Sequence, residues 1–349
     1  MKFPESLSCP VPILEHDTIQ LAHGAGGRLS LELIEKIFLP RFHNDILNKM
    51  EDQALLTLSH NRLAFTTDSF VVSPIFFPGG DIGELAVNGT VNDLCMSGAT
   101  PLYMSVAFII EEGFPVESLH RIVLSMEKAA HEACVTVVTG DTKVVNRGSC
   151  DQIFINTSGI GIVPDSLTIS CSNLHVSDYL IISGTIADHG MAIMTTREGL
   201  SFETTVESDT QPLNELVHEM LKVTDHIHAM RDPTRGGVAA TVNEFAQSSC
   251  VGIVLYEEKI PIKDTVRGAC EVLGIDPLHV ANEGKLIAAV AKNEAEKVLH
   301  AMRRHKYGAD AEIIGEVVKK HPGTVFMKTG LGAKRLVDMP LGEQLPRIC

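Results

Sequence analysis

A chain of 349 residues with 44% apolar but only 5% aromatic content is long enough for two globular domains. With 29 Lys and Arg against 44 Asp and Glu, its formal charge of −15 repels nucleic-acid phosphates and excludes a broad basic footprint. Residues 1–12 lack the charged, apolar, small-residue order of a leader, and no apolar run reaches the roughly 18 residues of a membrane span. The expectation is therefore a soluble, cytoplasmic protein without nucleic-acid or membrane partners. Eight cysteines, at 9, 95, 134, 150, 171, 250, 270 and 349, form no C-x-x-C pair, which argues against a zinc knuckle or a disulfide framework.

In chain order, Leu29, Leu33 and Ile37, with Glu32, Glu35 and Lys36 between them, predict an amphipathic helix over 28–39, stopped by Pro40. A strand pattern at 63–70 leads to a long helix over 81–98, which Gly98 and Pro101 end. Strands follow at 102–110, 135–138 and 153–163, with a helix at 116–132, so the first block is mixed α and β. The pattern breaks into Ser, Asp, Asn and Thr over 164–177, giving an N-terminal domain at 1–165 and a second at 170–329. The second block reads as strands at 179–183, 251–256, 285–291, 312–318 and 324–328 and helices at 188–198, 212–223, 236–248 and 264–273. Residues 330–349 have no apolar period and are expected to form a mobile tail ending in a reactive Cys349. Fully extended, residues 334–349 span about 50 Å, so that thiol can visit distant places. Pro346 stiffens the approach, Ile348 offers an apolar anchor and Arg347 an ionic one. On its own, a last-residue Cys reads far more readily as an accident of where a chain stops.

Four segments supply polar groups suited to metal-nucleotide chemistry. Asp68, in Thr66-Thr67-Asp68-Ser69, stands at the carboxyl end of a strand, where it either ligates Mg²⁺ or caps a turn. The 81–98 helix is apolar around most of its circumference, yet Asn88, Asn92 and Asp93 lay a polar strip along it. Buried amides and a carboxylate need partners, which either a structural network or a Mg²⁺ and a nucleotide phosphate would provide. Thr139-Gly140-Asp141-Thr142-Lys143 after a short strand reads as a phosphate loop, and Lys143 offers it a point charge. Arg231-Asp232-Pro233-Thr234-Arg235-Gly236-Gly237 opens a helix whose free N–H groups receive an anion, with Asp232 adding a carboxylate and Arg235 a guanidinium fork. A Gly-rich stretch over 23–28, including Gly26 and Gly27, leads into the first helix as a further nucleotide-binding candidate. Glu283, just before a strand, and Lys143 are the candidate bases, the alternative for Glu283 being a solvated turn residue. The histidines show no metal-ligand spacing and read as structural or surface residues.

The segments T-T-D-S-F, N-G-T-V-N-D-L-C-M-S-G-A-T-P, T-G-D-T-K-V-V, D-P-T-R-G-G-V-A and the terminal P-R-I-C occur in that order. With them the chain resembles the HypE family of hydrogenase maturation proteins. That family lies in a superfamily with aminoimidazole ribonucleotide synthetase (PurM), selenophosphate synthetase and thiamine monophosphate kinase. The resemblance runs from about residue 23 to 349; the central motifs mark the superfamily and the last four residues the HypE branch. It implies a PurM-like two-domain fold: an N-terminal α/β sheet domain that dimerises, ATP near the dimer interface, a C-terminal α+β domain and a flexible C-terminal tail. It further implies that HypF carbamoylates Cys349, that ATP drives dehydration of the thiocarboxamide to a thiocyanate, and that the cyano group passes to a HypC–HypD complex. By motif, Asp68, Asp93 and Asp232 match metal-binding carboxylates, and Asn92, Asp141, Thr142 and Lys143 match nucleotide-site segments. Two other readings stay open at this level. One is a selenophosphate synthetase, although Cys9 lies some distance from His23 and no Lys falls between Pro4 and Leu31. The other is a nucleotide-binding carrier whose tail only docks a partner.

Overall fold

A computed structural model describes residues 16–24, 28–49, 62–200, 204–339, 345 and 347–349. Gly26, Gly27 and Cys9 lie outside the described residues. Leu33 and Ile37 are fully buried, as their spacing requires, but the helix does not stop at Pro40. Helix α1 (Arg28–Leu33) passes through a π-helical turn, Ile34–Phe38, into α2 (Leu39–Phe42). Pro40 offers no N–H to the ladder, and the π-helical turn before it, closed by the Leu39 N–H on the Ile34 oxygen, accommodates the gap.

The first sheet pairs β1 (Leu63–Phe70), β4 (Thr100–Glu111), β5 (Thr136–Val145) and β6 (Ile153–Ile162) in the order β1-β6-β4-β5. A two-stranded ribbon, β2 (Phe76–Phe77) and β3 (Gly80–Asp81), precedes α3 (Ile82–Cys95). Asp81 caps α3, accepting from the Gly83 and Glu84 N–H groups at 2.8 and 3.1 Å. Helices α3 and α4 (Val116–Glu132) cover one face of this sheet, where Phe70, Met104, Val106, Phe108, Ile110 and Ile155 are buried. The opposite face is open and carries Leu63, Ile109 and Phe65, the last 71% exposed.

Strand β5 corrects the phosphate-loop expectation. It runs on to Val145, so residues 139–143 form a ladder with β4 in parallel register, Ala107 opposite Asp141 and Ile109 opposite Lys143. Backbone pairing with β4 holds these polar residues extended, and an edge strand tolerates their exposed side chains.

The second sheet has the order β13-β12-β9-β11-β7-β10-β8. Its strands are β7 (Tyr179–Ile182), β8 (Ile227–Arg231), β9 (Gly252–Tyr256), β10 (Ile287–Val290), β11 (Glu312–Val318), β12 (Val325–Lys328) and β13 (Lys334–Leu336). Its helices are α5 (Asp188–Arg197), α6 (Asn214–Val223), α7 (Gly237–Ser248), α8 (Asp264–Leu273) and α9 (Ala295–Arg303). Strand β8 and helix α9 extend the sequence expectation, and α9 buries Ala295, Val298, Leu299 and Met302 at helical spacing.

Where the expected mobile tail is described, it lies docked on the fold. Residues 334–336 pair antiparallel with β12, the Val337 oxygen accepts from Asn243 Nδ2 at 3.0 Å, and Val337, Leu345 and Ile348 are buried. Their uneven spacing along the chain leaves no apolar period to announce them. Among the described residues no helix is long and apolar enough to cross a membrane, and the seven described cysteines are free thiols.

Candidate active site

The last three residues lie against the segment that follows β1. Backbone N–H groups of Val71 and Ser73 donate to the Cys349 and Arg347 oxygens, each at 3.2 Å. Arg347 Nε donates to the Val71 oxygen at 3.3 Å, and its guanidinium pairs with Asp151. From the second sheet's helices, Arg197 reaches the Arg347 oxygen at 2.9 Å. His189, fully buried on α5, lies 2.9 Å from the Ile348 oxygen through Nε2 and 2.7 Å from Ser208 Oγ through Nδ1. A carbonyl only accepts, so Nε2 carries the proton and Nδ1 accepts from the serine hydroxyl. Burial depresses the His189 pKa, which keeps this neutral tautomer.

The thiol itself meets Arg235, whose guanidinium also donates to Asp68 Oδ1 at 3.0 Å. Burial, followed by the charge of Glu283, pushes the Cys349 thiol up to about 12, against the pull of Arg235. The thiolate is therefore disfavoured in the docked position, with burial and Glu283 as the causes.

Glu283 is buried, not a solvated turn residue, and its Oε1 has no hydrogen-bond partner among the described residues. Burial, then Asp232, Asp209 and Asp68, raise its pKa well above the usual carboxylate range. The loop that carries it is held tightly. Asn282, fully buried, accepts from the Ala187 N–H at 2.7 Å and donates to the Pro233 oxygen at 2.9 Å, joining three segments through one side chain. Gly284 allows the backbone to pass Asp209, since a Cβ there would lie 1.9 Å from the Asp209 oxygen. Buried Lys285 pairs with Asp209 at 3.1 Å, and although burial opposes it, the Lys285 charge holds the Asp209 carboxyl below its ordinary value. Sequence reading gave no site role to Asn282, Asp209 or Lys285; for Asn282 and Lys285 the available signal was a run of polar residues before β10.

Asp93, on α3, accepts from Thr66 Oγ1 at 2.8 Å, and its pKa is raised by burial and by Asp68. Asp232 follows β8; burial and Asp93 lift its carboxyl to about 7. Thr234 and Pro233 precede α7 instead of forming its first turn, because Gly236 and Gly237 adopt positive φ to start the helix against the carbonyls of 278 and 280. Asp68, Asp93 and Asp232 thus repel one another without forming a tight donor group of the kind seen elsewhere in the chain. The fit is to a small, hard cation that takes one or two carboxylates and fills its remaining shell with phosphate oxygens and water. Such a cation relieves the repulsion that adds to burial in raising Asp93 and Asp232.

Of the expected nucleotide-site groups, Asn92 lies beside the Glu283 loop and residues 141–143 lie apart from it. Asn92 spends its amide on protein, donating to the Gln211 and Glu283 oxygens, each at 3.1 Å, and accepting from the Leu213 N–H at 2.8 Å. Asn88 donates to Thr210 at 3.2 Å. The polar strip of α3 therefore staples residues 210–213 and the Glu283 loop. Asp141, Thr142 and Lys143 lie on β5, three strands from β1, about 14 Å at ordinary strand spacing. Asp141 and Lys143 are exposed, 3.9 Å apart, and the pairing register places them on the open face of the sheet, opposite Asp68.

Comparison with known proteins agrees with this architecture. Residues 50–163 match the AIR synthase related protein N-terminal domain and residues 176–328 its C-terminal domain. The chain is 52% identical over 337 residues to carbamoyl dehydratase HypE of Bradyrhizobium diazoefficiens, covering 96% of this chain and 97% of that protein. A crystal structure of hydrogenase maturation protein HypE in complex with ATP superposes with a TM-score of 0.91 at 48% identity, covering 95% of this chain and 99% of that one. A HypE–HypF complex gives a TM-score of 0.78 at 53% identity, covering 88% and 99%. With two AIR synthase-related domains and near full-length identity of this order, the chain belongs to the HypE family, the carbamoyl dehydratases of hydrogenase maturation.

Proposed function

We propose that this chain dehydrates a carbamoyl group carried on its own Cys349 to a thiocyanate, at the expense of ATP bound with Mg²⁺. The observation that carries the reading is the docked Cys349, its thiol against Arg235 and within the field of Glu283 while Val71 holds its oxygen and His189 that of Ile348. An amide oxygen is a poor leaving group until phosphorylated. The carbamoyl oxygen attacks the γ-phosphate and ADP departs; the nitrogen then loses its two protons, the C–O bond breaks with release of phosphate, and sulfur is left bearing C≡N. Asp68, Asp93 and Asp232 would hold the cation, which neutralises charge on the γ-phosphoryl oxygens when bound. Arg235 orients the modified sulfur, and Glu283, with an unshared oxygen and a raised pKa, receives a nitrogen proton.

The carbamoyl donor in this reading is HypF, and the cyano group leaves for a HypC–HypD complex. Both need the tail drawn out of its cleft. Lys143 stands too far from Cys349 within one chain to act on it, and it enters the site only if a second copy packs on the open sheet face. The same face, with Phe65, Leu63 and Ile109, supports a homodimer.

Mass spectrometry of Cys349 after incubation with HypF, carbamoyl phosphate and ATP tests the reading. The expected sequence is a carbamoyl gain followed by loss of one water. Glu283→Gln is expected to stop at the carbamoyl adduct. An unmodified Cys349, or water loss in Glu283→Gln at the wild-type rate, overturns the proposal.

A further inference from the structure

The connection between the two sheets ends in a cluster the dehydration chemistry does not use. Asp178, His175 and His228 bring one donor atom each to within 4.8 Å of one another. Asp178 is buried, His228 largely so, and His175 is exposed. The carboxylate Oδ2 accepts from the His175 backbone N–H and from His228 Nδ1, both at 2.7 Å. The turn is closed by these bonds and by the Asp178 N–H on the His175 oxygen at 3.0 Å. It does not need the His175 ring, yet that ring lies 4.1 Å from the His228 ring, centroid to centroid, and makes no hydrogen bond to a described residue.

We propose that His175, Asp178 and His228 bind a late first-row divalent cation, with Zn²⁺ as its type. Two imidazoles and one carboxylate suit Zn²⁺, Co²⁺ or Ni²⁺ and leave Mg²⁺ and Ca²⁺, which prefer oxygen shells, at a disadvantage. Three protein donors leave a fourth position to water on the exposed side of His175. The buried pair is already fixed. The Asp178 backbone oxygen accepts from the Val317 N–H at 2.8 Å, and the His228 oxygen accepts from the Ser170 N–H at 3.0 Å. Only His175 has to turn inward. A cation at His228 Nδ1 takes the place of the hydrogen bond to Asp178, and the imidazole proton moves to Nε2, so the ring ligates as a neutral donor. The site lies at the start of β7, whereas His189 of the tail cleft follows its end, so the length of that strand separates the two. A cation there ties the 164–178 connection onto the second sheet.

Equilibrium dialysis of the full chain against Zn²⁺, with Co²⁺ absorption as a coordination probe, tests the assignment. Expected are one equivalent of saturable binding, a higher melting temperature with Zn²⁺, and visible Co²⁺ bands without a thiolate charge-transfer band. His175→Ala, an exposed position outside the core, should weaken binding at least about tenfold, and Cys349→Ser should leave it unchanged. Absence of saturable binding, equal affinity in His175→Ala, or a thiolate band lost in Cys349→Ser overturns the proposal. None of these readouts depends on dehydration, so this inference and the proposed activity fail separately.

Discussion

His189 couples the tail to the molecule through one proton. Its Nε2–H holds the Ile348 oxygen while Ser208 fills Nδ1. His189→Ala leaves a buried carbonyl unpaired, a loss of about 1–2 kcal/mol that raises the fraction of withdrawn tail roughly tenfold. Peptide-mapped alkylation of Cys349, with exposed Cys134 and Cys250 as internal references, should quicken accordingly; an unchanged rate assigns the hold to other contacts. Asp232 sets a pH dependence of opposite sense to an ordinary ion pair. Its carboxyl titrates near 7 in the folded chain against 3.8 as its reference. The neutral form is thus favoured by folding, and its contribution is complete below about pH 4 and lost as pH rises through 7. Asp232→Asn should stabilise the metal-free chain at pH 8 by about 1–2 kcal/mol and flatten its urea midpoint between pH 4 and 8. A wild-type midpoint that does not fall over that window contradicts this assignment.

Among the elements, α3 and the 281–285 loop carry the site between them. Asn92 on α3 makes three hydrogen bonds to the backbone of the second sheet's segments, so Asn92→Ala should cost about 3 kcal/mol in denaturant unfolding. Dehydration should fall in parallel, because the Glu283 loop loses its support. In the loop itself, Gly284→Ala sets a methyl group 1.9 Å from a backbone oxygen, which no side-chain rotation relieves. A loss of about 3 kcal/mol or more in a thermal melt is the expected outcome; a near-neutral melt would show that the Asp209 backbone yields. The long apolar pattern of α3 makes the helix legible from sequence. Its polar strip reads equally as ligand site or network, and the fold resolves most of it as network. Strand β5 is harder, since Gly140, Asp141 and Lys143 are poor strand residues that pairing with β4 nonetheless holds extended.

At the scale of the whole molecule, the net charge of −15 opposes self-association, but the open face of the first sheet presents apolar side chains with Phe65 at their edge. If that face joins two copies, Phe65→Lys should halve the light-scattering mass and leave the melting temperature within a few degrees. A wild-type monomer, or an unshifted mass in Phe65→Lys, rules that face out. The tail belongs to this scale as well, because its docked residues bridge the segment after β1 and helix α5 of the second sheet. Withdrawing it to meet another protein breaks contacts with both halves at once.

Local sequence determined the parts that depend on local chemistry. The helix and strand periods over 63–132, the break at 164–177, the acidic and Gly-rich segments and the final Cys were all legible, because each is a short-range pattern. Only the tertiary structure decided which of them meet. It turned residues 139–143 into an edge strand and spent Asn92 on backbone. It buried Glu283 without a partner and brought His175, Asp178 and His228 together from separate turns and strands. Burial, pairing and repulsion act through space, and a linear pattern carries no record of which distant residue will lie beside it.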